Sequence, residues 1–189
     1  MIGSRMSPGR MIEVADGAGT LLDLSRLSGL ISSTEDTATF AGSTSLVEVY
    51  AFLTARGQML DAAPGVIAEQ TLACALSTGT HGQGLQQSSI AGAALAIRLV
   101  LADGTVAQFD RDHPDFPAVQ LGLGSLGVIT AVTLRARESM IYTCVKKAVD
   151  AGTLETDLDL EPGEHPGQGV VVPPREPGPG VDRQRGDRR

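Results

Sequence analysis

The most informative stretch of this sequence is Ser77-Thr78-Gly79-Thr80-His81-Gly82. Glycine lets backbone N–H groups come close to an anion, and serine and threonine hydroxyls add further donors. Such a loop can hold a pyrophosphate without positive charge, which suits a chain whose formal net charge is -7. A simple tight turn would not require two threonines and a histidine among its glycines.

Two further glycine-rich segments accompany it. Residues 3–9 read Gly-Ser-Arg-Met-Ser-Pro-Gly, and residues 122–127 read Gly-Leu-Gly-Ser-Leu-Gly. Taken alone, each is explained as well by an ordinary tight turn. The segment 122–127 also has the spacing Gly-x-Gly-x-x-Gly, but it leads into a strand rather than opening a helix, which argues against a Rossmann dinucleotide site.

Between these loops the sequence predicts a mixture of strands and helices. Ser45 and Glu48 have capping-box spacing, the apolar face of the predicted helix contains Leu46, Val49, Tyr50 and Leu53, and Gly57 is placed to end it. Strands are predicted at 20–24, 37–40 and 127–136, and a turn is predicted at 27–30. Residues 93–101 and 105–109 form the clearest hairpin, turning at Asp103-Gly104. The predicted class is α+β, with helices on a mainly antiparallel sheet.

Composition limits the possible functions. The chain has 189 residues, 42% of them hydrophobic, and two cysteines, too few for a disulfide framework or a zinc site. Its acidity, with a pI of about 4.9, disfavours nucleic acid as a partner. Because the sequence contains neither a membrane-length apolar run nor a secretory signal, we expect a cytoplasmic protein. Residues 138–189, irregular and rich in Pro, Gly and Arg, are predicted to be a disordered tail.

The three glycine segments and the hairpin, in this order, resemble the FAD-binding (PCMH-type) domain of the vanillyl-alcohol-oxidase/p-cresol-methylhydroxylase flavoproteins. Within that superfamily the chain is most similar to sugar-1,4-lactone and alditol oxidases of the gulonolactone and arabinonolactone oxidase type. The resemblance covers residues 1–137, and the run from Ser77 to Gly82 is its most specific element.

The resemblance implies a site for FAD, with its pyrophosphate between two loops and its adenosine end near a strand. Matching residue by residue implies a first phosphate loop of Gly3, Ser4, Arg5, Met6 and Ser7. The second phosphate loop would comprise Thr71, Ser77, Thr78, Gly79, Thr80, His81 and Gly82, and the adenosine contacts would be Val128 and Ile129. His81 could instead be a buried histidine that contacts no ligand.

The sequence also departs from the family pattern. Members with covalent flavin carry a histidine where this chain has Met6, and a thioether cannot form that bond, so FAD is expected to be noncovalent. The first loop begins at residue 3, so part of the N-terminal βαβ unit is expected to be missing, and the chain is read as truncated. No catalytic residue is assigned.

The function implied is an FAD-dependent oxidoreductase acting on a CH–OH group of a sugar lactone or polyol, with flavin as hydride acceptor and oxygen as final acceptor. The alternatives are a non-catalytic remnant that binds FAD weakly or not at all, and a binder of another nucleotide phosphate. The sequence leaves the oligomeric state open.

Two other groups of residues are interpreted as structural. Asp110, Asp112, His113 and Asp115 match no metal-binding spacing and are read as a solvated loop. Cys74 stands in an apolar stretch and is predicted to be a buried structural thiol.

Overall fold

A computed structural model describes residues 19–62, 64, 68–82 and 87–141, all within one compact unit, Met1–Tyr142. The described strands are β1 (Leu30–Ser33), β2 (Thr37–Ala41), β3 (Gln58–Met59), β4 (Ala94–Val100), β5 (Val106–Asp110), β6 (Val128–Arg135) and β7 (Arg137–Glu138). The described helices are α1 (Leu46–Ala55), α2 (Leu72–Ser77) and α3 (Phe116–Gln120), with a short 3-10 helix at Ile90–Ala93.

Five strands form one antiparallel sheet in the order β1-β2-β6-β4-β5, and β3 pairs with β7 beside it. The longest strand, β6, lies in the middle, pairing with β2 on one side and β4 on the other. This arrangement confirms the predicted class and the predicted hairpin, in which β4 and β5 pair through Val100 and Val106.

The core lies on one face of this sheet. Phe40, Ile97 and Val132 belong to the buried cluster, and the helices add their own apolar side chains to it. Those from α1 and α2 are Leu46, Val49, Leu53, Leu72, Ala75 and Leu76. Since α2 is buried along one side and ends at Ser77, packing of this short helix fixes where the following loop begins.

Helix α1 begins and ends where the sequence predicts. The Ser45 hydroxyl accepts from the Glu48 amide at 3.2 Å, and a carboxylate oxygen of Glu48 accepts from the Ser45 amide at 3.0 Å. At the other end, Gly57 has φ of 68° and donates its amide to Thr54. The capping box and the glycine stop are both confirmed.

Ser45→Ala is expected to lower the free energy of unfolding by about 1 kcal/mol at neutral pH, the usual cost of losing an N-cap. Hydrogen bonds from Ser45 lower the pKa of Glu48, so the part of this contribution that comes from the Glu48 carboxylate is present above the unfolded pKa, about 4.3. It is lost as pH falls through the folded pKa. Urea unfolding at pH 7 and at about pH 3 measures both effects, with Ser28→Ala as control; an equal loss at both pH values would contradict the account.

Three sequence interpretations are corrected by the structure. Residues 20–24 do not form a strand. Asp23 alone makes an isolated β-bridge, and Leu21 and Leu22 are each 45% exposed. The turn placed at residues 27–30 instead centres on Ser25 and Arg26, and β1 then starts at Leu30. The third correction concerns Cys74 and is given with the site below.

Within the part of the chain that is described, no helix combines the length and apolar character needed to cross a membrane. Of the predicted tail, only residues 138–141 fall among the described residues.

Candidate functional site

The loop at residues 77–82 starts at the carboxyl end of α2. Gly79 has φ of 65° and donates its amide to the Leu76 carbonyl at 3.1 Å, and the Thr80 amide donates to Ala75 at 2.9 Å. This pair of hydrogen bonds is a Schellman motif, in which a left-handed residue turns the chain off the helix axis. The glycine at position 79 is therefore required by the backbone turn itself.

Both threonine hydroxyls of this loop donate to protein acceptors. Thr78 donates to the carbonyl of Cys74 at 2.8 Å, and Thr80 donates to the side-chain oxygen of Gln70 at 2.8 Å. The Thr80 carbonyl in turn accepts from the Ile90 amide at 2.8 Å. Gln70 was not among the residues the sequence pointed to, since its position before α2 carries no recognisable motif.

His81 and Gly82 follow at the exposed end of the loop. The Nδ1 atom of His81 lies 2.9 Å from the Gly82 carbonyl, and because a carbonyl can only accept, Nδ1 carries the proton. The His81 side chain is exposed, so the alternative of a buried histidine is wrong. Within the described residues, the backbone amides of His81 and Gly82 have no hydrogen-bond acceptor.

The structure brings the loops at 77–82 and 122–127 together. The Leu123 amide donates to the Ser77 carbonyl at 3.3 Å. A Cβ on Gly79 would lie 3.1 Å from a methyl carbon of Leu121. Leu123 has φ of 51° and a side chain that is 77% exposed, so the second loop presents a strained residue beside the first. Neither loop contains an acidic residue.

The remaining predicted contacts lie close to these loops along the chain. Thr71 is the residue before α2, where its side chain makes no capping hydrogen bond, and it bridges to Ser45. Val128 is partly exposed at the start of β6, whereas Ile129 is 3% exposed and belongs to the core. Because this figure covers main chain and side chain together, Ile129 is enclosed by the described residues, and its contact with the adenosine stays a prediction.

The other predicted phosphate loop lies outside the described residues. Gly3, Ser4, Arg5, Met6 and Ser7 all belong to this part of the chain, so their role stays a prediction.

Cys74 is exposed rather than buried, which corrects the sequence interpretation. It lies on α2 between Leu72 and Ala75, which are buried, and burial was wrongly inferred for Cys74 from these apolar neighbours. Partial desolvation still raises the pKa of its thiol. The neutral thiol is a poor nucleophile, so Cys74 does not enter the site chemistry.

The acidic segment after β5 behaves as a loop. Asp110 accepts from the Asp112 amide at 3.1 Å, and His113 accepts from the Asp115 amide at 3.1 Å. Across the described ranges, no three His, Cys, Asp or Glu side chains are grouped so that they could bind a metal ion.

An open groove of about 640 Å³ lies away from the glycine loops. Its arginines already bind protein groups, because Arg56 donates to Gln58 and to the Thr34 carbonyl, and Arg137 pairs with Asp61. The glycine loops are therefore the better candidate site. The groove is lined by Glu35, Asp36, Arg56, Gly57, Gln58, Ala136, Arg137 and Glu138.

Comparison with known proteins identifies a family and several relatives. Residues 1–110 match the family model described as "FAD binding domain". D-arabinono-1,4-lactone oxidase from Eremothecium gossypii is 30% identical over 161 residues, which cover 81% of this chain and 30% of that protein. A long-chain alcohol oxidase from an uncultured marine euryarchaeote is 35% identical over 157 residues, covering 79% and 32%.

Similarity to an alditol oxidase from Streptomyces is confined to 64 residues at 36% identity, 34% of this chain and 15% of that protein. The chain thus spans less than a third of the length of these relatives. Cholesterol oxidase from B. sterolicum superposes with a TM-score of 0.52 at 19% identity, covering 59% of this chain and 24% of that one. A solvent-stable cholesterol oxidase superposes with a TM-score of 0.53 at 22% identity, covering 61% and 25%. These two structures have a fold in common with this chain.

Proposed function

The chain belongs to the FAD binding domain family, and from that premise we propose that it binds FAD noncovalently as part of a CH–OH oxidoreductase. The observation that carries the proposal is the meeting of the two glycine loops at Ser77 and Leu123. Their contact creates a strip of backbone free of carboxylates, where a doubly charged pyrophosphate meets no like charge.

The described residues fit the phosphate part of the cofactor. Two consecutive amides, those of His81 and Gly82, have no acceptor among the described residues, and amides presented in succession bind anions. The exposed His81 ring stands beside them. With FAD bound, the flavin would supply the hydride acceptor; these residues would hold and orient its pyrophosphate.

We propose a sugar lactone or an alditol as the substrate class and oxygen as the final acceptor. Support comes from the D-arabinono-1,4-lactone oxidase and the alditol oxidase among the relatives. No described residue is assigned as a catalytic base. A cytoplasmic location stays a prediction from the sequence.

The noncovalent claim predicts that FAD added to the purified chain binds and is then released completely by acid precipitation. The reason is Met6 at the position where a covalent link would need histidine. Titration followed by flavin fluorescence measures binding, and the absorbance of the acid supernatant measures release. Met6→His is the matched variant. Flavin retained in the wild-type acid pellet would refute noncovalent attachment, and no binding at saturating FAD would refute the proposed function.

A further inference from the structure

We propose that Gln70 is a positioning residue for the pyrophosphate loop: it accepts the hydroxyl proton of Thr80, so that backbone amides rather than threonine hydroxyls hold the anion. This inference rests on the proposed function and adds to it a division of labour within the loop. Gln70, which lies outside the loop at residues 77–82, acquires a positioning role. Thr78 and Thr80, which lie inside it, make no direct contact with the phosphate.

The first step is to count hydroxyl protons. A threonine hydroxyl has one proton to donate. That of Thr80 goes to Gln70 and that of Thr78 goes to the Cys74 carbonyl, each at 2.8 Å. While these bonds are kept, each hydroxyl can offer a phosphate only oxygen lone pairs, which repel it. The two threonines therefore shape the loop instead of binding the anion.

The second step is to count amide protons. The amides of Thr78, Gly79 and Thr80 are all used in ending α2, donating to carbonyls within that helix. The next two, at His81 and Gly82, are the first in the loop without an acceptor among the described residues. They stand directly after Thr80, so the position of Thr80 sets where they are presented.

The third step concerns how Gln70 is itself held. Its backbone carbonyl accepts the Leu46 amide at 2.9 Å, in the first turn of α1. Its side chain reaches across from the entrance of α2 to Thr80 just beyond the exit. Gln70 therefore ties the loop to the start of α1, independently of the hydrogen bonds that end α2.

A double-mutant cycle tests this role. Gln70→Met keeps the length of the side chain without its acceptor, and Thr80→Val keeps the shape of the side chain without its hydroxyl. Each is expected to weaken ADP and FAD binding about five- to tenfold, the usual effect of losing one hydrogen bond to a half-buried partner. The double variant should be no weaker than either single one, because all three lose the same bond. Thr80→Ser, which keeps the hydroxyl, should bind within about twofold of wild type.

Thr39→Val is the matched control, because its hydroxyl makes one side-chain hydrogen bond, at 2.8 Å to Thr133, on the sheet away from the loop. It should alter thermal stability and leave ADP affinity unchanged. If the effects of Gln70→Met and Thr80→Val add in the double variant, the threonine touches the phosphate directly and the inference is wrong while the proposed function stands. If wild type binds neither ADP nor FAD, both are wrong.

Discussion

Gly42→Ala is expected to destabilise the fold by about 3 kcal/mol or more, the upper part of the range for overpacking a buried position. Gly42 is buried directly after β2, where its amide donates to Thr130 at 3.1 Å and its carbonyl accepts from Ala73 at 2.8 Å. A Cβ added there would lie 2.2 Å from the Ile129 carbonyl oxygen. Because that oxygen belongs to the backbone of the central strand β6, it cannot rotate away as a side chain could.

Thermal unfolding measures this effect, and the midpoint should fall by at least about 10 °C. Gly104→Ala is the control, since Gly104 has φ of 84° but open space around its Cβ position. That variant should lose only the roughly 1–2 kcal/mol of a left-handed alanine. If Gly42→Ala proves no worse than Gly104→Ala, the close approach between β2 and β6 is not as described.

Elements with local signals could be predicted from the sequence. Both ends of helix α1 are specified by short sequence motifs, a capping box at Ser45 and a glycine at position 57. The β4–β5 hairpin turns at Asp103-Gly104, where the Asp103 carboxylate accepts the Thr105 amide at 2.8 Å. In both cases neighbouring residues determine the conformation, so no knowledge of distant contacts is needed.

Elements that depend on distant contacts could not be predicted. Helix α2 has six residues and no side-chain cap, and it is stabilised by burial of Leu72 and Leu76 rather than by its own helix propensity. The leucines at 21 and 22 suggested a strand, but a strand requires a partner that the local pattern does not specify. The need for glycine at position 42 could not be predicted for the same reason, because it arises from the close approach of the β6 backbone.

The candidate site divides in the same way. The motif residues 77–82 stood out because an ordinary tight turn does not need two threonines and a histidine among its glycines. The structure nevertheless gives Gly79 and both threonines structural roles. The meeting of the motif with residues 122–127 was not predicted, because the family resemblance placed the pyrophosphate between residues 3–7 and 77–82. The structure supplies this contact, between Ser77 and Leu123. Gln70 had no signal at all, because a single glutamine before a helix is ordinary in composition and acquires a role only through its distance to Thr80.

Gly79→Val is expected to lower affinity for FAD and ADP by at least about tenfold. Gly79 has φ of 65°, a conformation that costs a β-branched residue about 1–3 kcal/mol and is adopted without strain by glycine. The Cβ would also press on Leu121 at 3.1 Å. To relieve the backbone strain and the contact with Leu121, the chain must leave helix α2 in another direction. This change displaces the amides of His81 and Gly82.

Gly57→Val is the matched control, because Gly57 occupies the equivalent position after α1, with φ of 68° and no atom within 4 Å of its Cβ position. Both variants carry the same backbone strain at a helix end, so both should lose stability. Only Gly79→Val changes the loop that presents the two amides, so only it should weaken nucleotide binding. Isothermal titration with ADP, beside thermal unfolding of each variant, separates the two quantities. An equal fall in ADP affinity for both variants would mean that general destabilisation accounts for the loss, and an unchanged affinity in Gly79→Val would place the pyrophosphate elsewhere on the protein.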